Sequence, residues 1–305
     1  MAAKIVRSSR PPCPACGGLA NATRLVVEGR YRLFRCANCR TQFLRALEAE
    51  PEESRYWVHK QYKFDVYGSS DVKRDYDQRY RIILDRAVRE GGKVSSVVDF
   101  GCGSGNFLSF AEREGLEATG VDVDASAVAA ARSNSLRAFL SSEVDAHIRD
   151  YSVDMVTLWD VIEHISDPGA FLSEVLRKVR PNGLLIIETP DGTFPVRPLA
   201  RFLHYISAGR IRLVRRLYYW EHKVYFSMEG LRRLLASNGC DVVTVMKLTS
   251  PHVKMARLFE MSADRGRLEA RLISRFWPFL EALTRTLGGG NKIVLIGRVS
   301  SPDGS

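Results

Sequence analysis

The sequence predicts an α/β protein with a doubly wound, mostly parallel sheet of seven strands, preceded by a small four-cysteine ribbon. Two observations predict the sheet. Short apolar segments alternate with amphipathic segments beyond residue 93, and a glycine-rich stretch follows the first apolar segment. A third observation predicts the ribbon, because two C-x2-C pairs occur near the N-terminus. The chain has 305 residues, which is enough for one large domain and a small one.

The ribbon is predicted from residues 1–47, where Cys13 pairs with Cys16 and Cys36 pairs with Cys39. The pairs are separated by 19 residues, a spacing typical of zinc ribbons, in which two tight turns supply the four thiolates of a tetrahedral site. The alternative is two disulfide bonds in a secreted module, but no apolar signal segment follows the first basic residues. We therefore predict one Zn²⁺ with a structural role, because no coordination position is left open.

Residues 48–92 are predicted to form a connector rich in aromatic residues, followed by the first long helix. The helix is predicted over 69–92, because a serine or an aspartate can cap its start and a glycine ends it. Its predicted apolar face consists of Ile82, Ile83, Ala87 and Val88.

Residues 93–305 are predicted to form the doubly wound domain, in which strands and helices alternate. Seven strands are predicted over 95–100, 117–123, 137–142, 153–160, 183–190, 241–248 and 291–300. Helices are predicted over 105–115, 124–134, 167–180 and 227–239. Two segments interrupt the alternation, a basic insertion at 193–220 and a helical insertion at 247–288.

A glycine-rich loop, "GCGSG" at 101–105, follows the first predicted strand of this domain and precedes a helix. Ligands of open α/β sheets bind at the carboxyl ends of the strands, and glycines let a ligand approach the backbone closely. Asp122 ends the second predicted strand, 17 residues after Gly105. A carboxylate at that position accepts hydrogen bonds from both hydroxyls of a ribose, so the pattern predicts a nucleoside site.

The ligand predicted for this site is S-adenosylmethionine rather than a dinucleotide. The loop reads G-x-G-x-G-N and lacks the third glycine of the dinucleotide fingerprint, because Asn106 takes that position. Asp99 lies two residues before the loop. Its carboxylate repels a pyrophosphate but suits a ligand that carries an ammonium group.

The same segments resemble the class I S-adenosylmethionine-dependent methyltransferases. The matching segments are "VVDFGCGSGNF", "GVDVD", "VDMVTLWDVIEHISDP", "LRKVRPNGLLIIETPD" and "EHKVYFSMEGLRRLLASNGC". The arrangement is similar to the branch of ubiquinone-pathway O-methyltransferases and sugar C-methyltransferases. An N-terminal four-cysteine module also occurs in methyltransferases of nucleotide-linked deoxysugars. The resemblance implies a Rossmann-like fold and a transferase that takes a methyl group from S-adenosyl-L-methionine.

The resemblance also implies which residues hold the cofactor. Asp122 would hold the ribose, and Asp99 would lie near the methionine end. Trp159 and Asp160 would lie beside the methyl group, and Ser142 and Glu143 fall where the family has adenine contacts. The predicted cofactor-binding residues are Asp99, Gly101, Cys102, Gly103, Gly105, Asp122, Val123, Trp159 and Asp160.

A hydroxyl or carbon acceptor needs a general base, and we predict His222 and His164 as the catalytic residues. His164 follows the fourth strand in "WDVIEHI", and His222 precedes a helix in "WEHKVYFS". The segment "DVIEH" also resembles the E-x-x-E-H pattern linked to a divalent metal in ubiquinone O-methyltransferases, but its first acid is Asp160. We expect Glu163 instead to be a buried carboxylate that caps a helix or ties down a loop.

The net charge of +10 is concentrated in two regions. Residues 1–47 carry nine lysines and arginines against Glu28, and the insertion at 193–220 carries six arginines and no acid. Three interpretations of the insertion stay open: a lid for a phosphorylated acceptor, a segment that docks on an anionic membrane to reach a lipid-linked acceptor, and a solvated helix pair. The apolar runs are far too short to span a bilayer, and the sequence predicts a cytoplasmic protein.

The predicted acceptor is a small molecule, a sugar or another phosphorylated or lipid-linked intermediate, methylated on oxygen or carbon. A zinc-ribbon RNA methyltransferase is one alternative, since a ribbon and basic regions suit nucleic acid. The segment "WDVIEH" stands where base N-methyltransferases usually carry N/D-P-P-Y/F, which argues against nucleic acid. A non-catalytic binding protein is the other alternative, and the intact glycine loop argues against it. The oligomeric state is not predicted.

Overall fold

The structure is a computed structural model that describes residues 10–47, 68–211, 213–218, 220–250, 254, 275, 282 and 290–300. The predicted connector at 48–67 and most of the predicted helical insertion at 247–288 lie outside these residues. The side chain of Arg216 lies outside the description as well.

The described residues form two β-sheets. The strands in chain order are β1 (Ala20–Val27), β2 (Tyr31–Cys36), β3 (Gln42–Ala46), β4 (Ser96–Phe100), β5 (Glu117–Asp122), β6 (Ala138–Leu140), β7 (Val153–Trp159), β8 (Val179–Pro190), β9 (Val224–Tyr225), β10 (Cys240–Leu248) and β11 (Lys292–Val299). The larger sheet has the order β10-β11-β8-β7-β4-β5-β6, and the smaller sheet has the order β1-β2-β3-β9. All seven strands predicted for the doubly wound domain are confirmed.

The larger sheet is parallel except at β11. Strands β4 to β8 run in one direction, and β11 is antiparallel to both of its neighbours, β8 and β10. Strand β9 belongs to the smaller sheet. The chain builds outward from β4 in both directions, because β5 and β6 lie on one side and β7 and β8 lie on the other. The carboxyl end of β4 is therefore the switch point at which ligands bind in such sheets.

Helices cover both faces of the larger sheet. The helices of the described chain are α1 (Ser70–Gly91), α2 (Asn106–Arg113), α3 (Ala125–Ser133), α4 (Val144–His147), α5 (Pro168–Lys178), α6 (Val196–Ile206), α7 (Val214–Leu217) and α8 (Met228–Ala236). Side-chain caps fix several of their starts: Asp124 accepts from Ser126 N, Asp167 accepts from Ala170 N, and Ser227 accepts from Gly230 N. None of the helices in the described part of the chain is long and apolar enough to cross a membrane.

The predicted apolar face of α1 is partly wrong. Ile83 and Ala87 are buried, but Ile82 and Val88 are exposed, at 54% and 39%. The buried stripe instead includes two tyrosines and Arg79. The positions of the apolar side chains did not predict this face, because Tyr76, Arg79 and Tyr80 occupy part of it and are buried.

The ribbon is completed by a strand from the larger domain. Strand β3 pairs with β9, where Gln42 faces Tyr225 and Phe43 faces Val224. Ser227, which caps α8, donates its hydroxyl to the carbonyl of Cys39. The four-stranded sheet therefore joins the cysteine-bearing segment to the start of α8, a contact that no sequence pattern predicted.

Candidate active site and cysteine cluster

The glycine loop connects β4 to α2 at the carboxyl edge of the larger sheet. Gly101, Gly103 and Gly105 have φ angles of 79°, 55° and 87°, which favour glycine. A side chain on Gly101 would collide with Val161, and one on Gly105 would collide with Leu136. A Cβ on Gly103 would meet no atom within 4 Å, so the loop is open on that side.

Asp122 holds the glycine loop against the end of β5. Its Oδ2 accepts a hydrogen bond from Gly103 N at 2.8 Å, and its Oδ1 accepts one from Asp124 N at 2.9 Å. Burial raises the pKa of Asp122, and these backbone amides oppose the rise. The next side chain, Val123, is 68% exposed. The end of β5 thus presents a carboxylate beside an exposed apolar side chain.

Asp99 is buried at the end of β4, with 2% of its surface exposed. Thr157 donates its hydroxyl to Asp99 Oδ1 at 2.7 Å. Burial raises the pKa of Asp99 to about 8, and the nearby charge of Asp122 adds to the rise. Cys102 is also buried, and burial raises the pKa of its thiol. Cys102 therefore offers its backbone, not a reactive thiolate.

Trp159 is the last residue of β7, and Asp160 follows it beside this loop. The Trp159 ring packs against Tyr80 and Phe107, at centroid distances of 4.8 Å and 5.2 Å. Its indole Nε1 is buried and has no hydrogen-bond partner among the residues described. Asp160 has a φ of 56° and is paired with Lys292, and Lys254 Nζ lies 3.6 Å from its Oδ2.

Arg79 on α1 is a site residue that the sequence reasoning missed. Its Nε donates to Glu188 Oε2 at 2.5 Å, and its Nη1 donates to Thr249 O at 2.6 Å. Its Nη2 is buried and forms no hydrogen bond to any part of the chain that the structure describes. Glu188, the partner of Arg79, pairs in register with Trp159. The two donors without hydrogen bonds in the described chain, Arg79 Nη2 and Trp159 Nε1, therefore lie near the same end of these neighbouring strands. An arginine within the helical spacing of Tyr76, Tyr80 and Ile83 was the available signal.

The two predicted bases lie in contact with each other. The imidazole rings of His164 and His222 have centroids 4.7 Å apart and are nearly perpendicular, at 84°. His164 Nδ1 donates to the carbonyl of Glu221 at 2.8 Å, and His222 is buried. The two histidines are 58 positions apart in the sequence, whereas the structure brings their rings into contact.

Glu163 completes this group. Its Oε1 lies 4.0 Å from His222 Nε2, and its Oε2 accepts a hydrogen bond from Thr189 Oγ1 at 2.8 Å. The latter bond ties the 3₁₀ turn Ile162–His164 to β8, as expected. Burial raises the pKa of Glu163 to about 8.

The same three side chains have the composition of a divalent metal site. The ligand atoms of Glu163, His164 and His222 lie within 4.8 Å of one another, and one carboxylate with two imidazoles suits a transition metal. Asp160, the first acid of the D-x-x-E-H segment, is paired with Lys292 instead. The similarity to the metal-binding pattern is therefore limited to Glu163 and His164.

The four N-terminal cysteines converge on one point. Their sulfur atoms lie within 4.8 Å of one another, with 3.7 Å between Cys13 and Cys39 and 3.6 Å between Cys16 and Cys36. Four sulfurs at about 2.3 Å from a tetrahedral zinc are about 3.8 Å apart. The cluster therefore has the size and the donor set of a zinc site.

A family model described as "Methyltransferase domain" matches residues 72–245, which is more than half of the chain. The chain belongs to this methyltransferase family. Curated relatives include ubiquinone biosynthesis O-methyltransferases from Sodalis glossinidius, 32% identical over 36% of this chain and 47% of the relative, and from Pectobacterium atrosepticum, 29% identical over 42% and 58%. The chain thus spans about half the length of the curated relatives it matches.

Solved structures agree with the methyltransferase fold. The phosphoethanolamine N-methyltransferase 2 of Haemonchus contortus, in complex with S-adenosyl-L-methionine, matches with a TM-score of 0.52 and 16% identity, over 85% of this chain and 63% of that chain. The plantazolicin methyltransferase BamL, in complex with a triazolic desmethylPZN analog and SAH, has a TM-score of 0.51 and 12% identity, over 80% and 91%. At these identities the likeness shows the fold alone.

The matched range of the methyltransferase domain contains the glycine loop, Asp122 and both histidines. The cysteine cluster lies before it. The basic insertion lies within it and forms α6 and α7. Its Arg215 is exposed, but Arg197 is buried.

Proposed function

We propose that the chain transfers the methyl group of S-adenosylmethionine to an oxygen or carbon atom of a small acceptor, a sugar or another phosphorylated or lipid-linked intermediate. The observation that carries the proposal lies where β4 and β5 end side by side. There Asp122 accepts a hydrogen bond from Gly103 of the glycine loop, and the next side chain, Val123, is exposed. A nucleoside with a cationic tail suits this junction, because the buried Asp99 lies at its inner end.

The cofactor would be held at four points. Asp122 would accept from the ribose hydroxyls, and Val123 would lie against the base. Asp99 would face the ammonium group of the methionine portion. The carboxylate of the methionine portion would bind two buried donors, Arg79 Nη2 and Trp159 Nε1. Neither donor forms a hydrogen bond within the described chain. A bound carboxylate would satisfy both donors.

The bound cofactor supplies an electrophilic methyl group on a sulfonium. In that reaction His222 would accept the proton of the acceptor O–H or C–H, while the acceptor atom bonds to the methyl carbon and the carbon–sulfur bond breaks. Glu163 Oε1 lies 4.0 Å from His222 Nε2, where the charge of its ionised form would favour the imidazolium. The aromatic group of Trp159, Tyr80 and Phe107 excludes water. The products are the methylated acceptor and S-adenosylhomocysteine, and the proton stays on His222 until solvent removes it.

The ribbon would hold one structural Zn²⁺ through Cys13, Cys16, Cys36 and Cys39. The sulfur–sulfur distances fit a tetrahedral ion, and the thiolates fill all four positions. The ion would fix the two turns that carry the cysteines. Through Cys39 and Ser227 it would also fix the start of α8.

Replacing Asp122 by alanine is expected to weaken S-adenosylmethionine binding by about 1–3 kcal/mol, because the charge-assisted hydrogen bonds to the ribose are lost. Titration calorimetry measures the change. Asp122→Asn is the matched variant, since its amide oxygen can still accept from Gly103 N, and its loss should be smaller. Equal affinities of the wild type and Asp122→Ala would contradict the assignment of this site.

Cofactor binding is expected to release a proton at slightly acid pH. The pKa of Asp99 rises from its ordinary value of 3.8 to about 8, so Asp99 is protonated in the free protein across this window. Asp99 therefore contributes most to the free energy of unfolding of the cofactor-free protein below pH 3.8. This contribution is lost as the pH rises toward 8. An ammonium group bound beside it favours the carboxylate, so affinity should rise with pH in the same window.

The proton is counted by calorimetry at a pH of about 6.5, where the cofactor's own α-amino group is already charged. Titrations in two buffers of different ionisation enthalpy should give different apparent enthalpies for the wild type. Asp99→Asn should give the same enthalpy in both buffers. A buffer-independent enthalpy for the wild type would show that Asp99 does not meet the ammonium group.

A further inference from the structure

The outer face of α6 is apolar, which is unusual for a helix at a protein surface. The described structure exposes five of its side chains, Pro198, Leu199, Phe202, Tyr205 and Ile206. Leu199, Phe202, Tyr205 and Ile206 are each more than half exposed. They recur at the three- and four-residue spacing of one helical face, and none carries a charge.

The polar side of α6 faces the protein instead of solvent. Arg197 is buried and donates to the carbonyl oxygens of Asp191 and Leu217. Arg201 donates to Gln42 Oε1 at 3.2 Å. A water-facing helix has the opposite arrangement, with its apolar side chains against the core. A contiguous exposed apolar patch of this kind marks a surface that binds something.

Positive charge surrounds this apolar face. Arg210 and Arg215 follow α6 and are exposed. Arg24 of the ribbon reaches α6 from the other side, with its guanidinium 5.1 Å from the centre of the Tyr205 ring. From 193 to 220 the sequence contains no aspartate or glutamate. A partner that matches this face would be both apolar and negatively charged.

We propose that the outer face of α6 docks on an anionic lipid bilayer. Leu199, Phe202 and Ile206 would enter the interface between headgroups and acyl chains, and Arg210 and Arg215 would contact lipid phosphates. A second copy of the chain fits this face less well, because a symmetric contact would bring these arginines against one another.

Docking in this way determines which edge of the domain faces the bilayer. Helix α6 begins six residues after the end of β8, and the chain then leads through α7 to His222 and β9. The docking surface therefore adjoins the edge that carries the candidate active site. Because the proposed function places methyl transfer there, the docked orientation identifies the acceptor as a lipid-linked molecule. The docking itself does not depend on that function.

Sedimentation with vesicles tests the docking. The wild-type chain is expected to bind vesicles in which about a third of the lipid is phosphatidylglycerol, and to bind pure phosphatidylcholine at least about tenfold more weakly. Added salt should reduce binding to the anionic vesicles by screening the arginines. Phe202→Ser/Ile206→Ser should reduce this binding by about tenfold or more, because two apolar groups no longer enter the interface.

The matched control is Ile82→Ser/Val88→Ser on α1, which removes two other exposed apolar side chains and should bind the vesicles as the wild type does. Cofactor binding by calorimetry should be unchanged in both variants, which shows that they are folded. Equal binding to both kinds of vesicle, or equal loss in both variants, would overturn the proposal. So would a dimer in light scattering that Phe202→Ser/Ile206→Ser converts to a monomer. Failure of methyl transfer with intact vesicle binding would overturn only the proposed function.

Discussion

Replacing His222 by alanine is expected to lower the rate of methyl transfer by about 10²–10⁴, the range for loss of a general base. The variant lacks the imidazole that would accept the acceptor proton, which in the wild type is buried against Glu163 and His164. The rate is measured as incorporation of labelled methyl from S-adenosylmethionine into a metabolite extract. The product is identified by mass spectrometry from the mass of one added methylene.

Three comparisons make this result specific. Calorimetry should give wild-type cofactor affinity for His222→Ala, because the predicted cofactor residues lie elsewhere. His147→Ala is the matched control, since His147 lies with Ser96 and Glu117 at the opposite edge of the sheet, and it should keep the wild-type rate. A wild-type rate for His222→Ala would transfer the role of base to His164. Loss of wild-type activity in a chelator that leaves one zinc per chain in the ribbon, with recovery in added divalent metal, would instead make the histidines metal ligands.

Replacing Cys36 and Cys39 by serine together is expected to abolish metal binding and unfold the ribbon. Structural zinc sites contribute about 10–16 kcal/mol of apparent binding free energy, which a segment of this size cannot replace with its own core. Elemental analysis should find one zinc per wild-type chain and none in the variant. Calorimetric unfolding should show a lower transition temperature for the variant.

The matched control for the cysteines is Cys240→Ser, which changes a buried thiol outside the cluster. This variant should keep its zinc even if its core is destabilised. Wild-type protein prepared in reducing, zinc-replete medium that contains no metal would contradict the assignment. Cys36→Ser/Cys39→Ser should also lose methyl transfer, because β3 and Ser227 hold the segment that follows His222.

Local patterns were sufficient for the larger sheet, the glycine loop and the cysteine cluster. Each of these depends on residues close in sequence, such as the three glycines or a C-x2-C pair, whose spacing already determines the geometry. The strand β9 was not predicted, because two residues are too few to show an alternating pattern. Its pairing with β3 depends on a contact between distant parts of the chain.

The buried charges escaped prediction for a related reason. Arg79 is one of several arginines on α1, and only the fold shows that it meets Glu188. His164 and His222 were each recognised as candidate bases, but their contact depends on how the turn after β7 meets the loop before β9. Sequence reasoning identified residue types with the right chemistry, whereas their grouping followed from tertiary packing.

The pairing of β3 with β9 also sets an order of events during synthesis. The cysteines leave the ribosome early, but β3 keeps an unpaired edge until β9 has been made, about 180 residues later. At about 5–20 residues per second this interval is on the order of 10–40 s. Unpaired strand edges are templates for wrong pairing between chains. Nascent chains of this protein therefore pass through a period of aggregation risk that ends only when Val224 and Tyr225 arrive.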